Sequence, residues 1–167
     1  MRFIYQDEKI IIREFKSEEG ILFTGLFKDP EVTRYLPYRS PEQYEELFQI
    51  VLDTNHHNIF NRWGVWDVVT NDFIGCCLAR PFVEVPGQVE IGYTLAQAFW
   101  GKGIGTIISK ALVDYCFRHH GAQEIAALTD LDNIGSQKVL EKTGFVRQAN
   151  LVREDRELAY FVMERPA

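Results

Sequence analysis

The sequence predicts one α/β domain, of the α+β kind, that spans residues 1–167. Strand-like and helix-like patterns alternate at short intervals along the chain, which is typical of this class. Hydrophobic residues make up 46% of the chain and charged residues 25%, a balance that allows a buried core. No repeat or flexible linker interrupts the pattern, and 167 residues leave little room for a second domain.

The N-terminal part is predicted to contain one strand and two helices. The strand covers residues 10–15, a short helix begins at residues 17–19 and ends before residue 29, a loop covers residues 30–38, and a longer helix ends near residue 56. Ser40, Pro41 and Gln43 form a capping-box start for the longer helix. One of its faces is apolar and the other is acidic, which indicates an amphipathic surface helix.

The rest of the chain is predicted to form six strands and two helices. Strands are expected at residues 62–70, 73–83, 88–95, 124–129, 145–152 and 157–163, and helices at residues 103–121 and 133–143. Turn residues separate the first three strands, which predicts a meander, and the last two strands are expected to form a hairpin. An apolar stripe along the helix at 103–121 predicts that this helix is buried. The whole chain is therefore expected to have six to seven strands and about four helices.

The charge of the chain argues against a general affinity for nucleic acids. Its 24 acidic and 18 basic side chains give a formal net charge of −6, whereas binding to phosphate backbones requires clustered Lys and Arg. No apolar run reaches the roughly 18 residues of a membrane-spanning helix, and the N-terminus turns acidic before a signal-peptide core can form. We therefore expect a cytoplasmic protein with no membrane and no nucleic-acid partner.

The sequence predicts no metal site and no disulfide. The three cysteines, Cys76, Cys77 and Cys116, are an odd number without C-x-x-C spacing, so buried free thiols are the favoured interpretation. The four histidines occur as two adjacent pairs, at 56–57 and 119–120. Adjacent side chains on a helix point apart instead of converging on a metal ion.

A glycine-rich segment, residues 101–106, connects a predicted strand to the long helix. Glycines allow successive backbone N–H groups to curl toward one point, and the helix N-terminus adds unpaired amides and a positive dipole end. This arrangement predicts a site for a phosphate or pyrophosphate group, and Lys102 adds a positive charge. The alternative is a turn that only allows tight packing. The segment matches neither a dinucleotide fingerprint, which Ile108 interrupts, nor a P-loop, in which Ser or Thr follows the Lys.

Three segments at their expected separation resemble the GNAT acetyltransferases. They are the strand V-E-I-G-Y-T-L at 89–95, the loop W-G-K-G-I-G-T at 100–106 and the helix N-I-G-S-Q-K-V-L-E-K-T-G-F at 133–145. Within that superfamily the chain is most similar to the branch of ribosomal-protein N-terminal alanine and serine acetyltransferases, whose early loop also resembles residues 29–36. The resemblance covers residues 10–163 and implies a GNAT-like fold with a central mixed, mostly antiparallel sheet.

The resemblance implies that acetyl-CoA is the acetyl donor, and it assigns residues to the cofactor. The pyrophosphate is expected on the glycine loop, at Gly101, Lys102, Gly103, Ile104, Gly105 and Thr106. The pantetheine arm is expected to run as an added strand along Tyr93, Thr94 and Leu95 and to contact Asn133. Asn133 is equally suited to cap the helix that follows it, and the two roles are compatible.

Acetyl transfer to an amine requires a base, an oxyanion stabiliser and a proton donor for the departing thiolate. The resemblance places Glu90 beside the cofactor, where it is expected to accept the proton of the amine directly or through water. The alternative is a solvated surface carboxylate. The backbone N–H of Tyr93 or Thr94 is the candidate oxyanion stabiliser. Ser136 matches a serine that some relatives place beside the CoA sulfur, and its alternative is an ordinary first-turn serine.

The sequence leaves three functions open. The resemblance favours acetyl transfer to a peptide or protein N-terminal amine. The second is the same chemistry on a small amine, such as a polyamine, amino sugar, antibiotic or amino acid, and the third is a CoA-binding sensor without turnover. The acidic residues Glu42, Glu45, Glu46 and Asp53 would attract a cationic amine, although a solvated helix face explains them more simply. Family habit also implies a homodimer.

Overall fold

The computed structural model describes residues 1–167 and shows one nine-stranded sheet with helices on both faces. The strands are β1 (Phe3–Gln6), β2 (Ile10–Arg13), β3 (Asn61–Asp67), β4 (Phe73–Pro81), β5 (Val89–Leu95), β6 (Glu124–Asp130), β7 (Val146–Arg147), β8 (Leu151–Arg153) and β9 (Arg156–Glu164). The helices are α1 (Gly20–Leu26), α2 (Pro30–Thr33), α3 (Pro41–Thr54), α4 (Ile104–His120) and α5 (Ile134–Thr143), with short 3₁₀ turns at Ser17–Glu19 and Gln97–Phe99.

The sheet is mixed and mostly antiparallel, which confirms the predicted fold class. Its strands lie in the order β1-β2-β3-β4-β5-β6-β9-β7, and β8 also pairs with β9. Only β5 and β6 are parallel, because the crossover through α4 returns the chain to the same end of the sheet. Their pairing is short: Val89 lies opposite Ile125 and Glu90 opposite Ala126, and there it stops. Beyond Glu90 the sheet is therefore split down its middle.

The two faces of the sheet carry different helices and different cores. α4 and α5 pack together on one face, whereas α1 and α3 pack on the other. The α4–α5 face holds the largest apolar cluster, in which Trp63, Ile108 and Leu112 are fully buried. The α1–α3 face holds an aromatic cluster, in which the Phe15 ring lies 5.6 Å from the rings of both Phe23 and Phe48. Successive side chains of a strand point to opposite faces, which explains the division.

The helix ends follow the predicted signals. Ser40 Oγ accepts from the Gln43 N–H at 3.2 Å, and Gln43 Oε1 accepts from the Ser40 N–H at 2.7 Å, so the capping box of α3 is confirmed. α4 lies between Gly103 and Gly121, both of which have positive φ angles. No helix in the structure combines the length and the apolar character that a membrane span requires.

Two predictions in the N-terminal part were wrong. Residues 30–38 are not all loop, because Asp29 accepts from the Glu31 N–H and begins α2, a single helical turn at Pro30–Thr33. The sequence patterns also miss β1, which pairs with β2 at the edge of the sheet. A four-residue edge strand contains too little alternation to stand out from a loop.

The closing hairpin is confirmed, but its first strand is interrupted. Arg147 pairs with Phe161 and Leu151 with Leu158, so one extra residue lies between these pairs on the first strand. This bulge divides the predicted strand at 145–152 into β7 and β8. With β1, the division gives nine strands instead of six or seven, and α2 gives five α-helices instead of about four.

Candidate active site

A cleft opens in the sheet where β5 and β6 part. β6 continues to pair with β9 as far as Asp130, whereas β5 has no strand partner on this side after Glu90. The cleft has a volume of about 710 Å³. It is lined by Ser109 of α4 and Ser136 of α5 at one end and by Tyr44 of α3 at the other. The gap can therefore be reached from both faces of the sheet.

The open edge of β5 presents backbone groups to this cleft. The Ala96 N–H donates to the Ile74 carbonyl at 2.8 Å, and the Phe82 N–H donates to the Gln88 carbonyl at 2.9 Å. The register between these two bonds is regular, so the even-numbered residues of β5 bond to β4. The odd-numbered residues consequently direct their N–H and C=O groups away from β4, into the gap.

Of the three predicted pantetheine residues, two present their backbone to the gap. Tyr93 and Leu95 are odd-numbered, and the Leu95 carbonyl accepts from Trp100 Nε1 at 2.9 Å. Thr94 instead directs its backbone to β4, although the residue still lines the cleft. An extended ligand can bond to the free edge at Tyr93 as an additional strand does.

The glycine loop forms an open turn before α4. Gly101 and Gly103 have φ angles of 72° and 78°, which other residues rarely adopt. Gly103 is the N-cap of α4 and has no side chain to cap it. The N–H groups of Ile104, Gly105 and Thr106 therefore donate to no group of the protein. Free amides at the positive end of a 17-residue helix have the geometry of an anion site.

Lys102 adds the positive side chain of this loop. The residue is exposed, and its Nζ lies 5.6 Å from the centre of the Phe99 ring. Lys102 directly precedes Gly103, so its charge belongs to the same loop as the free amides and adds to the attraction of an anion.

Tight packing, the alternative explanation of the glycines, applies to only one of them. A Cβ at Gly101 or Gly103 would meet no atom within 4 Å, whereas a Cβ at Gly105 would lie 2.9 Å from Tyr93 Oη. Gly105 thus allows the Tyr93 ring to lie against the first turn of α4. Burial raises the pKa of Tyr93, and the neighbouring Ser136 partly offsets the rise, so this hydroxyl is protonated at neutral pH.

Asn133 and Ser136 begin α5 beside the cleft. Asn133 Oδ1 accepts from the Ser136 N–H at 3.2 Å, which confirms the capping role of Asn133. The Nδ2 of Asn133 donates to no protein group and is available to a ligand. The helix start therefore places the Ser136 side chain and the Asn133 amide together at the cleft.

Glu90 is buried, which rules out the interpretation of a solvated surface carboxylate. Only 6% of the residue is exposed. Arg80 Nε donates to Glu90 Oε1 at 2.8 Å, and Arg153 donates to both carboxylate oxygens, at 2.9 and 3.1 Å. Arg80 lies directly opposite Glu90 on β4, and Arg153 comes from β8. The two arginines hold the carboxylate in one orientation where the sheet splits.

Sequence reasoning missed these arginines and their second carboxylate. Arg153 donates to both oxygens of Glu84, at 2.6 and 2.8 Å, and so connects Glu84 to Glu90. The hydrogen bonds that Arg153 donates to Glu84 and Glu90 raise the pKa of Arg153, and they lower the pKa of Glu84. The β4–β5 register would have predicted Arg80 as a partner of Glu90, but no local signal identifies Arg153.

Two further polar side chains line the cleft without a partner. The Ser109 hydroxyl is buried and forms no hydrogen bond. Arg62 of β3 forms no hydrogen bond and no ion pair within the protein. Burial lowers the pKa of Arg62 to about 10, and the charges of Arg80 and Arg39 act in the same direction. Arg62 is therefore still a cation at neutral pH.

The acidic face of α3 is exposed and lies mostly outside the cleft. Its residues are Glu42, Glu45, Glu46 and Asp53. Only Glu45 lines a cavity, of about 500 Å³, which adjoins the cleft beside α1 and α2. A solvated helix face thus accounts for these residues. No cluster of His, Cys, Asp and Glu in the chain has the arrangement of a metal site.

The family model for the acetyltransferase (GNAT) domain matches residues 9–146. This chain belongs to the GNAT acetyltransferase family. The match includes the glycine loop, the split between β5 and β6 and the start of α5. It confirms the resemblance that the sequence motifs indicate.

Known relatives agree with this assignment. The protein named "Uncharacterized N-acetyltransferase p20" of Bacillus licheniformis is 28% identical over 147 residues, which cover 86% of this chain and 83% of that protein. The structure of ribosomal-protein-S5-alanine acetyltransferase from Vibrio fischeri has a TM-score of 0.80 at 21% identity and covers 96% of this chain and 95% of its own. The aminoglycoside acetyltransferase AAC(6')-Ib, solved in complex with coenzyme A, has a TM-score of 0.79 at 20% identity, with 93% and 95% covered.

The two structural neighbours share the GNAT fold with this chain, but their names give different acceptors. One name specifies a ribosomal protein and the other an aminoglycoside. One fold thus supports transfer to more than one class of amine. The acceptor of this GNAT acetyltransferase has to be inferred from the cleft.

Proposed function

We propose that this GNAT chain transfers the acetyl group of acetyl-CoA to the α-amine of a peptide or protein N-terminus, directly and within a ternary complex. The observation that carries this proposal is the split between β5 and β6, which opens to both faces of the sheet at one point. The free amides of α4 lie to one side of the split, and the cavity beside α1–α3 lies to the other. Donor and acceptor can therefore approach from opposite sides and meet in the gap.

The donor side fits coenzyme A, which the neighbour AAC(6')-Ib binds according to its name. We assign the pyrophosphate to the loop residues Gly101, Lys102, Gly103, Ile104, Gly105 and Thr106. The pantetheine arm would then extend along the backbone edge at Tyr93 and the Leu95 N–H, beside the Thr94 side chain and the Asn133 Nδ2. The Leu95 carbonyl already accepts from Trp100. Acetyl-CoA supplies the thioester, and the chain supplies its orientation.

Direct transfer needs the amine nitrogen to bond to the thioester carbonyl carbon while the C–S bond breaks. We assign Glu90 to take the proton of the amine, directly or through a water molecule. Its Oε2 accepts only one hydrogen bond, from Arg153, and keeps a lone pair for the proton. Ser136 would protonate the departing thiolate and regain its proton from solvent. Of the two candidate oxyanion donors, only the Tyr93 N–H is directed into the gap.

The acceptor side has room for a chain of several residues. The cleft of about 710 Å³ and the cavity of about 500 Å³ share the segment from Leu36 to Arg39 as a common wall. An extended peptide advances by about 3.3–3.6 Å per residue, so a few N-terminal residues can follow this path. The name of the Vibrio fischeri neighbour supports a protein acceptor. The structural similarity to AAC(6')-Ib favours a small amine as the second candidate.

The test is to incubate the purified protein with acetyl-CoA and, separately, with N-terminal peptides, polyamines, aminoglycosides and amino acids. Release of the CoA thiol gives the rate, and mass spectrometry identifies the acetylated product. Acetylated peptides support the proposal. Acetylation of small amines alone overturns the peptide acceptor but not the transfer chemistry. Binding of acetyl-CoA without any acetylated product overturns the peptide acceptor and points to a CoA-binding sensor or to an acceptor outside this panel.

A further inference from the structure

The acceptor side of the cleft contains a positive charge that no protein anion neutralises. Arg62 lies on β3 opposite Leu78 of β4 and lines the cleft, where it forms no hydrogen bond and no ion pair. Arg62 is partly buried, and a partly buried guanidinium without a protein partner carries a desolvation cost that is not compensated. A charge of this kind is normally balanced by a carboxylate or another anion.

The neighbours of Arg62 do not supply that anion. Glu90 is the nearby carboxylate, but its oxygens already accept from Arg80 and Arg153. The nearby thiol of Cys76 is neutral at pH 7, because burial raises its pKa to about 11. Arg80 itself is a like charge and repels Arg62.

A second arginine extends the positive region toward the cavity beside α1 and α2. Arg39 lines both the cleft and that cavity, and its guanidinium lies 5.9 Å from the centre of the Tyr44 ring. Burial raises the pKa of Tyr44, whereas the charges of Arg39 and Arg62 both oppose this rise. The two arginines and Tyr44 line the same cleft, and Arg39 has no salt bridge of its own.

We propose that Arg62, assisted by Arg39, binds a carboxylate of the acceptor, so that the preferred substrate is a peptide with an acidic residue close to its N-terminal amine. The proposal rests on the N-terminal acetyltransferase function proposed above. A planar guanidinium can donate two parallel hydrogen bonds to a carboxylate, which gives orientation as well as affinity. The same unneutralised charges disfavour polyamines and aminoglycosides, because cationic acceptors would be repelled.

The distance between strands predicts where the acidic residue lies. β3 and β5 are separated by two strand spacings of about 4.8 Å each, and an extended peptide advances by about 3.3–3.6 Å per residue. With the amine at the β5–β6 split, the side chain of the second or third residue lies at the level of Arg62. Binding of the carboxylate would thus fix the amine in the gap.

The experiment compares two C-terminally amidated peptides that differ only at the second residue, Ser-Asp-Ala-Ala-Ala and Ser-Asn-Ala-Ala-Ala. Steady-state acetylation of both is measured with the wild-type protein, Arg62→Gln, Arg62→Glu and the surface control Arg118→Gln. Arg118 lies near the exposed end of α4 and pairs with Asp114. Free aspartate and asparagine serve as a further pair, which distinguishes a side-chain carboxylate within a peptide from a free amino acid.

We expect the wild-type protein and Arg118→Gln to prefer the Asp peptide by about 10- to 100-fold in kcat/KM, mostly through KM. Arg62→Gln should reduce the ratio of the two kcat/KM values to about one. A third peptide, with Lys at the second residue, should be preferred by Arg62→Glu. Thermal unfolding and acetyl-CoA binding of each variant show whether it is folded and holds the donor.

Equal kcat/KM values of the wild-type protein for the Asp and Asn peptides would overturn this inference and leave the proposed function intact. An equal loss of kcat/KM for both peptides in folded Arg62→Gln would also overturn it, because Arg62 would then not distinguish the charged side chain from the neutral one. A preference confined to free aspartate would overturn the peptide acceptor. Acetylation of no peptide at all would instead contradict the proposed function.

Discussion

Glu90 is the residue on which the proposed chemistry depends most directly. The effect of its ion pairs can be separated from its proposed role as the base. Arg153 bonds to both Glu90 and Glu84, so the two carboxylates share one partner. Only Glu90 is also held by Arg80 and lies beside the split in the sheet. Glu84 is therefore a matched control for the loss of an Arg153 ion pair without the loss of the proposed proton acceptor.

We predict that Glu90→Gln lowers kcat by about 10²- to 10⁴-fold, the usual range for the loss of a general base, while Glu84→Gln changes kcat much less. The measurement is a pH profile of kcat and kcat/KM for both variants, together with thermal unfolding. An equal fall in kcat for the two variants would show that Glu90 acts only by positioning Arg153. Release of Arg153 lowers stability in both variants, so their unfolding curves should move in the same direction.

At the scale of the element, both ends of α4 require a residue with a positive φ angle. Gly103 before it and Gly121 after it have φ angles of 78° and 71°, and a Cβ at either would meet no atom within 4 Å. A side chain at either position therefore costs backbone strain without a steric clash. Only Gly103 belongs to the loop whose free amides we assign to the pyrophosphate.

We predict that Gly103→Ala and Gly121→Ala each lower the free energy of unfolding by about 1–2 kcal/mol. Gly103→Ala should in addition raise the Kd for acetyl-CoA by at least about 10-fold, because the strained turn would displace amides that bind the anion. Chemical denaturation and calorimetric titration of the two variants are the measurements. An equal, small effect of both variants on acetyl-CoA affinity would contradict the assignment of this loop.

At the scale of the whole molecule, the three cysteines are buried in the two apolar cores, and their reactivity shows whether both cores are intact. Cys76 lies in the aromatic cluster of the α1–α3 face, and Cys77 and Cys116 lie in the cluster of the α4–α5 face. Burial raises the pKa of Cys76 to about 11 and that of Cys116 to about 12, and it raises the pKa of Cys77 well above its usual value. The thiols are thus protonated and shielded while the fold is intact.

We predict that the native protein does not react with a thiol reagent such as DTNB at pH 8 and that three equivalents react after denaturation. Each thiol has a higher pKa in the folded state than the value of about 8.5 expected in the unfolded chain. The thiols therefore make their full contribution to the free energy of unfolding below about pH 8.5. Their contribution falls as the pH rises from about 9 toward 11, by about 1.4 kcal/mol per thiol and pH unit. Denaturation at pH 8 and pH 10 measures this loss. Rapid labelling of one thiol in native protein would contradict the burial.

The parts of the site that can be predicted from the sequence are those decided by neighbouring residues. The glycine loop, the capping box at Ser40 and the cap at Asn133 are confirmed as structural features, because turn and cap geometry depends on a few adjacent residues. β1 and α2 escape prediction for the opposite reason, since elements of four residues have too short a pattern. The division of the last hairpin also depends on a bulge that only the pairing with β9 reveals.

The sequence by itself determined the family, the mixed sheet and the loop before α4, because these depend on motifs of consecutive residues and on local backbone preferences. Only the tertiary structure decided that the sheet splits after Glu90 and that Arg153 reaches this carboxylate from 63 residues away. It also decided that Arg62 lines the cleft without an ion pair. The physical reason is that burial and ion pairing depend on strand register and on elements distant in the chain. These are also the features on which the proposed chemistry and acceptor preference depend.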